Sequence, residues 1–186
     1  MRALDAATAL LLVDMQRTFD LPPWPPRCNP DLDANALALL AAWRVSGRPL
    51  VHVRHDSVAP GSTLAPGTPG HAWRDGFGPR AGEQLVAKSV NSAFIGTDLD
   101  LRLRRLGVTS LVAFGISTDM CVSTTVRMGA NLGYRMIVAG DACACFDLPD
   151  GDGGVVAARA VQRAHLATLA FEFAEVVAAA EVLKAL

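Results

Sequence analysis

Ser110-Leu111-Val112-Ala113-Phe114-Gly115-Ile116-Ser117-Thr118-Asp119-Met120-Cys121-Val122 begins as a continuous apolar run and turns at a glycine into hydroxyl and acidic residues. A short run without polar alternation fits a strand covered on both faces. The turn at 115–119 then leads into a helix expected over about Met120 to Leu132. The same pattern repeats outward in both directions. Thr8–Val13, Leu50–Val53, Gln84–Lys88, Tyr134–Val138 and Phe173–Val177 read as further strands. Helices are expected between them. One starts at Asn29 or Asp31, runs to about Val45 and stops at Gly47. One is capped by Thr97 or Asp98, runs through Arg105 and stops at Gly107. A long one covers about Gly154 to Leu169, and a short one closes the chain. Strands alternating with helices imply parallel pairing and right-handed crossovers. The expected architecture is a single α/β domain over residues 1–186: three layers, α/β/α, around a mostly parallel sheet of about six strands.

Two stretches stand outside this rhythm. Residues 20–30 (DLPPWPPRCNP) contain five prolines and fit neither helix nor central strand. Residues 56–82 are rich in Gly, Pro and Ser; a loop of that length in a compact domain is usually functional.

Composition narrows the function. The 186 residues are 51% hydrophobic and 19% charged, the opposite of a disordered chain. Seventeen basic and eighteen acidic residues leave a net charge of -1. Nothing there offers the basic face of a nucleic-acid binder or a polybasic membrane anchor. No apolar run reaches the roughly 18 residues that span a bilayer. Ala6–Val13 lacks the flanks of a secretory signal. Cys28, Cys121, Cys143 and Cys145 form no Cys-x-x-Cys pair, which points to a reducing, cytoplasmic setting. Walker and G-x-G-x-x-G motifs are absent.

In an open parallel sheet, ligands bind beyond the carboxyl ends of the strands. That edge should receive Asp14, His55 and Asp56, Lys88, Ser117 to Cys121, and Asp141. Most free cysteines are small buried hydrophobes. Cys121, however, is expected in the first turn of a helix, where unpaired N–H groups favour a thiolate and stabilise an oxyanion. Asp14, breaking an apolar run, has the chemistry of a general base, although a turn residue would look the same. Lys88 ends an apolar strand, where a semi-buried ammonium would steady a thiolate. A metal site among His52, His55, Asp56 and His71 is not expected, because residues 52 and 55 point to opposite faces of a strand. The Cys143/Cys145 pair and His165 read as structural.

Three blocks resemble the signatures of the isochorismatase-like cysteine hydrolases, which include nicotinamidases, N-carbamoylsarcosine amidases and streptothricin hydrolases. They are Leu11-Leu12-Val13-Asp14-Met15-Gln16, Lys88-Ser89-Val90-Asn91-Ser92-Ala93-Phe94 and Gly115-Ile116-Ser117-Thr118-Asp119-Met120-Cys121-Val122. They occur in the family's order and span nearly the whole chain. The resemblance implies a catalytic triad of Asp14, Lys88 and Cys121. It also implies an oxyanion hole from the N–H groups of Ser117 and Cys121, and a cis peptide between Ile116 and Ser117. Nicotinamidases carry an Asp-x-His metal motif after the second strand; here His55 and Ser57 stand at those places, which turns the reading away from metal and from nicotinamide.

The activity so implied is hydrolysis of a C–N bond in a small amide, carbamoyl compound or lactam through a Cys121 thioester. An alternative is enol-ether hydrolysis of the isochorismatase type, with Asp14 as acid; a non-catalytic binding protein of the same fold is a third. Phe19, Trp24, His55, Trp73 and Phe94 are the expected substrate-pocket residues. No metal and no organic cofactor are implied. The expected partners are a small-molecule substrate and further copies of the chain, as a homodimer or homotetramer.

Overall fold

A computed structural model describes residues 2–186. Its strands are β1 (Thr8–Val13), β2 (Leu50–His55), β3 (Gln84–Lys88), β4 (Ser110–Ile116), β5 (Arg135–Ala144), β6 (Leu148–Pro149), β7 (Val155–Val156) and β8 (Glu175–Val177). Its α-helices are α1 (Leu32–Ser46), α2 (Leu99–Arg105), α3 (Ser123–Asn131), α4 (Ala158–Thr168) and α5 (Ala179–Ala185).

Six strands form one sheet in the order β3-β2-β1-β4-β5-β8, with every pairing parallel. The two central strands carry the apolar runs: all six residues of β1 and all seven of β4 are buried. The connection through α1 steps outward from β1 in one direction. Those through α2, α3 and α4 step the other way, so right-handed crossovers put α1 on one face and α2 to α4 on the other. Helix α5 returns to pack against α1. The strand order reverses between β1 and β4, which opens a crevice at their carboxyl ends.

Close packing of β1 on β4 demands a glycine at 115. Gly115 has φ 147°, and a Cβ there would collide with the Val13 carbonyl oxygen. A side chain would push apart the two strand ends that bound the crevice.

Several expected boundaries shift. Strand β5 runs to Ala144, past the expected end at Val138, after a bulge in its pairing with β4. Asp141 is therefore inside the strand, where its carboxylate accepts from the Ala179 amide at 2.7 Å and anchors α5. Residues 148–156 form a small antiparallel hairpin of β6 and β7, so α4 starts at Ala158 rather than Gly154. A single π-helical turn, Leu169–Phe173, ends α4, and β8 covers only Glu175–Val177. Another, Thr118–Val122, precedes α3, which starts at Ser123 rather than Met120. Asn29 caps nothing; its amide donates to the carbonyls of Asp141 and Cys143 and so ties the proline-rich loop to β5. Among the described residues, no helix is long and apolar enough to cross a membrane.

Candidate active site

The register of the sheet assembles the site. Asp14 follows Val13, which pairs with Val53 on one side and Gly115 on the other. It takes φ 53°, a left-handed conformation that Asp tolerates better than most residues, as the chain turns over the crevice. His55 pairs with Lys88 across β2 and β3, so their side chains leave the sheet together. Cys121 arrives from the turn after β4, and the Ile116–Ser117 peptide ahead of it is cis.

Lys88 is at the centre. Its Nζ lies 2.7 Å from Asp14 Oδ2, 3.0 Å from His55 Nδ1, 3.1 Å from the Val90 carbonyl and 3.4 Å from Cys121 Sγ. An ammonium has three protons and no acceptor, so four acceptors share three donors. The sulfur, at the longest distance, is the partner most weakly served in the resting site. Both the Asp14 and Lys88 side chains are fully buried. Their contact is a bent ion pair: neither carboxylate oxygen of Asp14 completes a well-aligned hydrogen bond. Lys88, by charge and by contact, and the Cys121 thiol nevertheless favour the ionised carboxylate. Burial raises its proton affinity above the ordinary carboxylate value, against the pull of Lys88.

The thiol is not the resting thiolate expected from a helix terminus and a nearby lysine. Burial, followed by the charge of Asp14, pushes Cys121 up to about 12. Cys121 is only 8% exposed, and α3 begins after it, so desolvation and the carboxylate outweigh the lysine. The geometry therefore pairs a neutral nucleophile with a buried base, and the lysine can follow charge as it moves from one to the other.

Ligand-type atoms of Asp14, His55 and Cys121 all lie within 4.8 Å of one another, a spacing compatible with a metal ion. The Lys88 ammonium touches all three of these side chains. It occupies the cation's place and repels a second cation from it. Ser57, at the other expected motif position, accepts on its hydroxyl oxygen from the Ala59 amide at 3.2 Å.

The expected pocket residues divide. His55 joins the cluster directly. Phe19 and Trp24 form a ring cluster with Phe146, at 5.2 Å between Phe19 and Trp24 and 4.7 Å between Trp24 and Phe146. This cluster stands beside the 117–121 turn, because Ala144 pairs with Ile116 and the Cys145 thiol donates to Asp119 at 3.2 Å. Phe94 and Trp73 have packing partners instead. Phe94 stacks on Tyr134, whose hydroxyl donates to Asp100, in the layer of α2 and α3. Trp73 meets His52 edge-on, and His52 bonds Glu83. Strand alternation sends His52 and His55 to opposite faces, so Trp73 goes with the former.

Two supporting residues escaped the sequence reading. Phe146 lies beyond the expected end of its strand. Gln16 is fully buried; its amide accepts from the His55 N–H at 2.8 Å and donates to the carbonyls of His55 and His71 at 3.1 and 3.0 Å. A glutamine two residues after Asp14 in an apolar environment was the only available signal.

A profile of the isochorismatase domain matches residues 8–181. The fold aligns with the crystal structure of an isochorismatase-family chain from Chromobacterium violaceum at a TM-score of 0.95 and 45% identity, covering 100% of this chain and 96% of the other. A cysteine hydrolase from Pseudomonas syringae aligns at 0.90 and 30% identity, covering 100% and 95%. A streptothricin hydrolase from Streptomyces noursei is 37% identical over 142 residues, 76% of this chain and 51% of that protein. With the sheet, the crevice and these likenesses together, the chain belongs to the isochorismatase-like superfamily and is a hydrolase.

Proposed function

We propose that the protein cleaves a C–N bond in a small amide, carbamoyl compound or lactam through a thioester on Cys121. The observation that carries this reading is Lys88 Nζ standing between Asp14 Oδ2 at 2.7 Å and Cys121 Sγ at 3.4 Å, all three side chains buried. As sulfur attacks the carbonyl carbon, the thiol proton passes to Asp14. The carbonyl oxygen takes the negative charge, received by the N–H groups of Ser117 and Cys121. The C–N bond breaks as Asp14 gives its proton to the leaving nitrogen, and the acyl group stays on sulfur. Water then attacks the thioester, loses a proton to Asp14, and releases the acid; that proton returns to the thiol. Lys88 keeps its charge throughout and offsets whichever neighbour is anionic. Asp14 serves both half-reactions because burial makes it a stronger base than a solvated carboxylate.

The raised proton affinity of Asp14 also suits an acid that protonates an enol ether, the second reading. A panel of amides, ureido compounds, lactams and vinyl ethers, run with wild type and Cys121→Ala, separates the two. The thioester reading expects amide-type turnover that falls by at least about a thousandfold in the variant. Vinyl-ether turnover that survives the substitution would overturn it.

A further inference from the structure

His55 does more in this site than the triad requires. Lys88, paired with Asp14, is an ammonium and has only donors. The 3.0 Å contact therefore fixes Nδ1 of His55 as the acceptor and puts the ring proton on Nε2. Burial and the neighbouring Lys88 charge both hold the imidazole neutral by lowering its proton affinity. Gln16 grips the backbone of His55 from both its N–H and its carbonyl, so the ring is held in place. No described residue bonds Nε2, and the side chain retains 14% exposure. A ring nitrogen lies within 4.8 Å of the Cys121 sulfur. The imidazole thus stands in the cluster with its Nε2–H free of any described protein acceptor and open to solvent or to a bound ligand.

We propose that His55 selects the acyl group: its Nε2–H donates to a hydrogen-bond acceptor that the substrate carries next to the scissile carbonyl. The rings of Phe19, Trp24 and Phe146, inclined to one another by 23° to 63°, form an apolar cluster beside the 117–121 turn. The substrate class is then a small acyl compound with a nitrogen or oxygen acceptor close to the reacting carbon. This rests on the thioester reading above.

The test uses p-nitrophenyl benzoate and the p-nitrophenyl esters of the three pyridinecarboxylic acids, each rate divided by spontaneous hydrolysis. Acylation is read as a p-nitrophenol burst. Wild type should prefer at least one pyridine ester over the benzoate by about tenfold in kcat/KM, the worth of one hydrogen bond. His55→Asn places an acceptor near Nδ1 but no donor at the Nε2 position. It should bring that ratio close to one, whatever it does to the individual rates through Lys88. His55→Gln, which carries an amide N–H further out, should keep part of the preference even if the Asn variant folds poorly. A preference retained in full in His55→Asn would overturn the donor role and leave His55 as a support for Lys88. A wild type that turns the esters over with no acyl group found on Cys121 in the quenched enzyme would refute the thioester reading itself.

Discussion

Lys88 and Asp14 form a buried pair that the site cannot break on one side only. Lys88→Met strands a carboxylate with no aligned hydrogen bond, so we expect a stability loss of about 3–5 kcal/mol in denaturant melts, together with loss of turnover. Asp14→Asn in the same chain removes the stranded charge. The double variant should regain most of the stability and none of the activity. Gln16 acts one step further out. Gln16→Leu leaves the His55 N–H and two carbonyls without partners, and should cost about 3 kcal/mol and lower kcat/KM as His55 drifts. At this scale the sequence was most informative where a residue contradicted its surroundings. Asp14 and Lys88 end apolar runs and were legible for that reason. Phe94 and Trp73 are ambiguous in sequence, because an aromatic near a strand end looks the same whether it lines a pocket or packs under a helix. The charge state of Cys121 was illegible too: its burial depends on segments far away in the chain.

Strands and their pairing carry the next level. Apolar runs announced β1 to β4, and Gly47 and Gly107 marked the ends of α1 and α2 correctly. Register could not be read in advance, yet the His55–Lys88 pairing delivers the imidazole to the lysine. β5 was cut short because Gly140 and Asp141 look like a strand end, whereas the strand continues through a bulge. The opposite face of β2 has its own polar device. His52, on β2, and Arg44, on α1, both bind Glu83, just before β3. Arg44, against some burial, holds Glu83 down to about 2 from an ordinary 4.5. The folded state thus favours the ionised form. Glu83 contributes its full stabilisation above pH 4.5 and loses it as the pH falls through about 2. Acid melts should show wild type more stable than Glu83→Gln above pH 4.5, with the gap closing progressively below it.

Taken as a whole, the molecule gathers the candidate site at the reversal of strand order, between β1 and β4. The carboxyl edge of the sheet followed from the alternation of strands and helices; the point of reversal did not. The proline-rich loop, the 56–82 segment and the end of β5 close around it. Arg74 ties two of these: it binds Asp20 at 2.9 Å and both oxygens of Asp33, and Arg27 joins the same two carboxylates. No local pattern revealed that network, since its members are up to 54 residues apart. In the proposed mechanism the buried thiol stays protonated until it is acylated, so the covalent intermediate is the central claim. It is tested most directly by acid-quenching the enzyme during turnover of p-nitrophenyl benzoate and mapping the adduct by mass spectrometry. The account predicts a benzoyl group on the peptide containing Cys121, forming at neutral pH in wild type and absent from both Cys121→Ala and Asp14→Asn. Ester turnover with no adduct on that peptide, or an adduct that forms equally well without Asp14, would contradict it.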